Sequence, residues 1–156
     1  MDEGRLLTVN ATPEEVPAVV SRDLWPVHVT ILGNFRVEGA LEDVVADYVA
    51  SLAKHTEAFT MRLGPRAQFG SDLTIPVLLA EHSMFHEMHE LLSGEVTRLP
   101  GFDACEPSHW ASGYRPHATL GSAVDIDDKD MLAIKWLTLA SLTGNRAQRL
   151  RSIELL

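Results

Sequence analysis

The sequence predicts an α+β fold of two pseudo-symmetric lobes, with mostly antiparallel sheets lining a central cleft and helices packed outside. Three observations point there. Two amphipathic stretches interleave with strand-like runs, but the runs fall in hairpin-like pairs, not in the strict alternation of a parallel sheet. One short pattern, His-x-Thr among apolar residues, occurs as His28-Val29-Thr30 and as His117-Ala118-Thr119, near the middle of each half. The chain has 156 residues and is 46% hydrophobic, enough for a core of its own, so residues 1–156 are expected to form a single domain of two lobes.

Arg5 to Val9 reads as a first short strand. Thr12-Pro13-Glu14-Glu15 carries an N-cap Thr, Pro at the first helical position and Glu at the third, which predicts a brief helix to about Val20. Trp25 to Phe35 is the first motif strand, β-branched from Val27 to Ile31 apart from His28. Leu41, Val44, Val45, Tyr48, Val49 and Leu52 recur at helical spacing within Ala40 to Lys54. Phe59 to Leu63 alternates as a strand, Gly64-Pro65 marks a turn, and Leu73 to Leu79 is a further strand with Pro76 at an edge or bulge. Ser83 to Leu99 is an amphipathic helix with Met84, Phe85, Met88, Leu91, Leu92 and Val96 on one arc. Pro100 to Tyr114 reads as loop, Arg115 to Ser122 as the second motif strand, and Val124 to Lys129 as an acidic turn. Trp136 to Leu142 and Arg149 to Leu156 form a strand pair around Gly144-Asn145.

The net charge of −9, with only 13 scattered Lys and Arg, disfavours a long RNA or DNA partner, because such binding rests on phosphate neutralisation by a basic face. A small nucleotide or short oligonucleotide suits that charge better. No apolar run approaches a membrane span, no apolar leader follows the acidic start, and the one cysteine, Cys105, has no internal disulfide partner. A cytoplasmic protein without membrane contact is expected.

In an extended strand, residues i and i+2 share a face. His28 and Thr30 therefore stand side by side, as do His117 and Thr119, while Val27, Val29 and Ile31 face the other way. Two imidazoles titrating near neutrality can divide acid and base work, and two hydroxyls can hold the oxygens of one phosphate. Trp25 and Tyr114 each lie three residues before a motif histidine; with Trp110 they are candidates to stack on a base, rim or core packing being the alternative. Arg115 is the cation nearest a motif, with Arg66 and Arg36 weaker candidates for phosphate contact. His82, His86 and His89 recur at a helical spacing that zinc sites use, but no cysteine lies close by and the three are read as a polar helix shoulder.

Val27-His28-Val29-Thr30-Ile31-Leu32 and Pro116-His117-Ala118-Thr119-Leu120 resemble the first and second motifs of the 2H phosphoesterase superfamily, which includes the 2′-5′ RNA ligase-like and cyclic nucleotide phosphodiesterase proteins. The resemblance extends over about residues 5 to 156. It implies a phosphodiesterase with His28, Thr30, His117 and Thr119 as catalytic residues and no metal; Trp25, Tyr114, Arg115 and Trp110, by their positions, are the expected substrate-binding residues, and no cofactor is expected. The expected substrate is a nucleotide or short oligonucleotide with a 2′,3′-cyclic phosphate, a cyclic oligonucleotide or a 2′-5′ linkage. Two alternatives stand beside it: a nucleotide- or RNA-binding module of the same fold without catalysis, and a phage-type nuclease that degrades cyclic oligonucleotide immune signals.

Overall fold

Apolar side chains on one side and hydroxyl or amide side chains on the other make Leu6–Thr12 a strand (β1) whose two faces are both covered: Leu7, Val9 and Ala11 are 0% exposed, and Thr8, Asn10 and Thr12 at most 3%. The computed structural model describes residues 4–121 and 124–156; Asp2 and Glu3 of the acidic start and Ser122, the expected end of the second motif strand, lie outside them. After β1 come β2 (Val19–Ser21), β3 (Val29–Arg36), α1 (Glu42–Lys54), β4 (Phe59–Arg62), β5 (Arg66–Phe69) and β6 (Ile75–Leu79). Then follow α2 (Ser83–Val96), β7 (Asp103–Ala104), β8 (His117–Thr119), β9 (Met131–Ile134), β10 (Trp136–Thr143) and β11 (Arg146–Glu154).

The strands make a six-stranded sheet in the order β2-β11-β10-β1-β3-β7, a three-stranded sheet β5-β6-β8 and a pair β4-β9. Every registered pairing is antiparallel, as the hairpin-like spacing predicts. The α+β class is borne out. No helix among the described residues is long and apolar enough to cross a membrane.

The two longer predicted helices form. α1 buries Val45, Ala46, Val49, Ala50 and Ala53 and packs on β10 and β11. α2 buries Phe85, Met88, His89, Leu92 and Val96 and packs on α1 and β3. Its buried arc differs from the expected one at three positions: Met84 is only partly buried, Leu91 is 59% exposed, and His89 joins the core.

The brief helix expected from Thr12 does not form. Residues 13–18 are irregular and lead into β2, and the Thr12 hydroxyl donates to the Glu14 carbonyl (2.6 Å) instead of capping a helix. Pro17 is the reason. It has no N–H to bond the carbonyl four residues back, and it disfavours helical backbone at Val16. The first motif strand is also shorter than expected. It begins at Val29, after a 3₁₀ turn at Arg22–Leu24 and the donor-less Pro26. The stretch Pro100 to Tyr114 is not wholly loop: β7 pairs with the end of β3, and two 3₁₀ turns follow at Pro107–His109 and Ala111–Gly113. β2, β5 and β9 are strands that the hydrophobic pattern did not mark. The C-terminal hairpin forms as read, turning through Gly144 at φ +57°.

Candidate active site

The two motif strands belong to different sheets yet run side by side. Cα atoms of β3 and β8 approach within 8 Å. β8 reaches this position through β6, with His117 opposite Leu79 and Thr119 opposite Val77; the Ala80 N–H to Pro116 carbonyl bond (2.9 Å) extends that pairing past the proline. A cavity of about 910 Å³ opens there, with Thr30, His117, Thr119, Tyr114, Arg115 and Trp110 in its wall.

The histidines are held alike. The His28 Nδ1–H donates to the Pro26 carbonyl, and the His117 Nδ1–H to the Arg115 carbonyl, each at 2.8 Å and each two residues back. A carbonyl only accepts, so each bond fixes the tautomer with its proton on Nδ1 and leaves Nε2 as the exchanging nitrogen. Each ring also meets an aromatic neighbour: Trp25 lies 4.9 Å from His28, and Phe69 lies edge-on 4.6 Å from His117.

Burial pushes both imidazoles below their ordinary pKa, partly offset by the bond to the backbone carbonyl; charge on His117 lowers His28 further, and charge on His109 and Arg115 lowers His117 further. The two motif rings thus lie within electrostatic reach of one another, although His28 is not itself part of the cavity wall.

Thr30 sits where β3 bulges against β1: Val9 faces Leu32 while Asn10 faces Thr30. Side chains from outside the sheet hold the carbonyls at this irregularity. The Tyr114 hydroxyl donates to the Thr30 carbonyl (2.8 Å), and the His89 Nδ1–H donates to the Ile31 carbonyl (2.7 Å). The rings of Tyr114 and His89 stack at 4.1 Å with an interplanar angle of 2°.

The aromatic candidates divide accordingly. Tyr114 is 8% exposed, with one face on His89 and its hydroxyl engaged; burial, then the charge of Glu81, pushes its phenol well above the ordinary value, so it stays a neutral donor. Although it neighbours the second motif in sequence, it supports the first. Trp110, 9% exposed, packs its ring against Phe35, Phe102 and His89. Trp25 braces His28 and is outside the cavity wall. Tyr114 and Trp110 thus stand in the cavity wall largely buried, and Trp25 stands outside it.

Phe69 joins Tyr114 and Trp110 in the wall, and sequence reasoning missed it because β5 is short and polar around it. It is partly exposed in the cavity wall, with the Arg115 guanidinium 4.8 Å from its ring centre. Arg115 is exposed in the same wall, but Arg66 and Arg36 are not part of it, and Arg66 pairs with Asp127.

The three helix histidines go to separate partners. His82 caps α2 by accepting the Met84 N–H (3.1 Å), His86 lies 3.5 Å from Glu81, and His89 is buried. Among the described residues, no group of three or more His, Cys, Asp or Glu is placed to hold a metal ion.

The family model of the 2′-5′ RNA ligase superfamily matches residues 13–151. Among solved structures, the chain is similar to a protein described as a phosphoesterase, at 16% identity over 97% of this chain and 98% of that one, with a TM-score of 0.63. It is similar to E. coli LigT complexed with 3′-AMP, at 18% identity over 99% of both chains and a TM-score of 0.62. It is also similar to TT0787 of Thermus thermophilus, at 16% identity over 96% and 97% and a TM-score of 0.60. At these identities the likeness is one of fold. No curated protein matches the chain.

Proposed function

The chain belongs to the 2′-5′ RNA ligase superfamily, and on that footing we propose that its cleft hydrolyses a phosphodiester of a nucleotide or short oligonucleotide by two-histidine acid–base catalysis. The observation that carries this reading is the approach of β3 to β8, which brings Thr30, His117 and Thr119 into one cavity wall, with His28 just before β3 held in the same tautomer as His117. One imidazole takes a proton from water through Nε2, and the water oxygen attacks phosphorus. The bond from phosphorus to a ribose oxygen breaks, and that oxygen takes a proton from the other imidazolium. Thr30 and Thr119 hold the non-bridging oxygens, where charge develops. Arg115 faces the phosphate, and Phe69 supplies the face for a base.

The substrate bond is a 2′,3′-cyclic phosphate, a cyclic oligonucleotide linkage or a 2′-5′ linkage. Structures of E. coli LigT with 3′-AMP, ATP and NADP⁺ support a small nucleotide as the occupant. These groups need no metal for the reaction. Incubation with 2′,3′-cyclic mononucleotides, cyclic di- and trinucleotides and 2′-5′ oligoadenylates in EDTA is therefore expected to yield product from at least one class. Tight binding without product from pH 5 to 9 would identify a binding module instead. Loss of turnover in EDTA, restored by zinc, would refute the two-histidine route.

The depressed imidazoles fix the expected pH profile. Catalysis needs one ring charged and one neutral, and both free-enzyme values lie below about 6.5. The pair then holds its single proton only on the acid side of 6.5. The ratio kcat/KM should peak there and fall about tenfold per pH unit on the alkaline limb. A bound phosphodiester anion favours the imidazolium, so the kcat profile should lie at higher pH. A kcat/KM optimum above pH 7 would contradict this assignment.

A further inference from the structure

Asn10 holds a position that the strand pattern alone does not explain. It is 1% exposed on β1, in register with Thr30 of β3 on one side and Thr138 of β10 on the other. Its Oδ1 accepts the Thr30 hydroxyl hydrogen at 3.0 Å, while its Nδ2 has no hydrogen-bond partner among the described residues. Thr138 is engaged elsewhere, with its Oγ1 3.2 Å from the Ser152 hydroxyl. A buried amide N–H without a partner is costly, and such a group calls for a functional account.

The chemistry of the pair supplies one. A hydroxyl has one hydrogen. While Thr30 spends it on Asn10, it turns only lone pairs toward the cleft, which is the wrong polarity for a phosphate oxygen. The two ends of an amide are nearly the same size, so a half-turn about Cβ–Cγ fits the same space. Nδ2 then donates to the Thr30 Oγ1, and the hydroxyl hydrogen is released.

We propose that Asn10 is a positioning residue whose amide turns when a phosphate group enters the cleft, so that Nδ2 supports the Thr30 hydroxyl as it donates to a non-bridging oxygen. An amide side chain offers both an acceptor and a donor at this spot, and a half-turn exchanges them. The inference rests on the proposed function only in that the cleft takes a phosphate, and it does not require turnover.

The test is therefore a binding experiment on the full chain labelled with ¹⁵N, using inorganic phosphate and a nucleoside 3′-monophosphate as probes. The side-chain amide pair of Asn10 should shift on titration, and that response should vanish in Thr30→Val. Asn10→Ala should weaken phosphate binding about tenfold, the worth of a hydrogen bond supporting a charged ligand, and should cost nothing further in the Thr30→Val background. Asn10→Asp, which can only accept, should bind phosphate more weakly than Asn10→Ala. The wild-type titration needs no variant, so it stands even if a substitution disturbs folding. Phosphate binding with the Asn10 amide unmoved, or strictly additive effects of the two substitutions, overturns the proposal and leaves the functional reading intact. No binding of either probe overturns both.

Discussion

Alanine at His28 or at His117 should leave a folded protein whose turnover is lower by about 10²–10⁴-fold, the usual worth of one positioned proton-transfer group. Folding should be spared, because neither ring is a fixed core contact: each is partly exposed and tied to a carbonyl of its own segment. The double variant should be little worse than either single one, since acid and base act as a unit and the loss of one idles the other. Thr30→Ala and Thr119→Ala should cost less, because each removes one hydrogen bond to charge and leaves the proton path in place. Single-turnover assays on whichever substrate class gives product, run beside thermal melts, check the whole series. Wild-type turnover from either histidine variant would show that the two imidazoles do not share the reaction.

How far the sequence carried this site depends on the range of the interactions involved. His117 and Thr119 share a face by strand alternation within β8, so that pair was legible, whereas His28 lies just before the first residue of β3. The approach of β3 to β8 involves β6, which pairs with β8, and α2, which packs on β3, and leaves no local mark; only the duplication of the motif hinted at it. Trp25, Tyr114 and Trp110 were found by position, but sequence spacing does not say which aromatic faces are already occupied. Tyr114 is the sharpest case, as the neighbour of one motif that bonds the other. Phe69 stayed hidden in a four-residue strand. Pro17 was the available signal against the helix at Thr12, and it was outweighed by a good N-terminal pattern. His89 was legible in principle: positions 85, 88, 89, 92 and 96 form one helical stripe, and only the habit of reading histidine as polar kept it off.

That misread histidine carries the second large effect. Replacing His89 with Phe should destabilise the fold by roughly 2–5 kcal/mol and impair turnover, although His89 is not part of the cavity wall. Phenylalanine keeps a ring to stack on Tyr114, so the change isolates the two polar bonds. The Ile31 carbonyl loses its donor at the β3 irregularity next to Thr30. The Ala111 N–H, which donates to His89 Nε2 at 3.0 Å, is left unpaired in a residue held at φ +55°. A left-handed alanine is itself unfavourable by about 1–2 kcal/mol, so the turn carrying Trp110 and Tyr114 should relax once that bond is gone. The acid dependence of stability provides a readout that simple packing loss would not move. Because Nε2 accepts and Nδ1 donates, the folded state requires a neutral ring, and burial holds the His89 pKa below its ordinary value. The unfolded chain takes up that proton first. Stability should therefore be fully present above about pH 6.5 and decline as pH falls through that value toward the folded pKa, by up to about 1.4 kcal/mol per pH unit for each such histidine. His28 and His117 add to the same decline in the parent. In His89→Phe the slope should be shallower by one proton. Urea titrations of parent and variant at pH 5, 6, 7 and 8 measure both quantities, and parallel acid slopes would mean that His89 tolerates protonation where it sits and does not lock the turn to the motif strand.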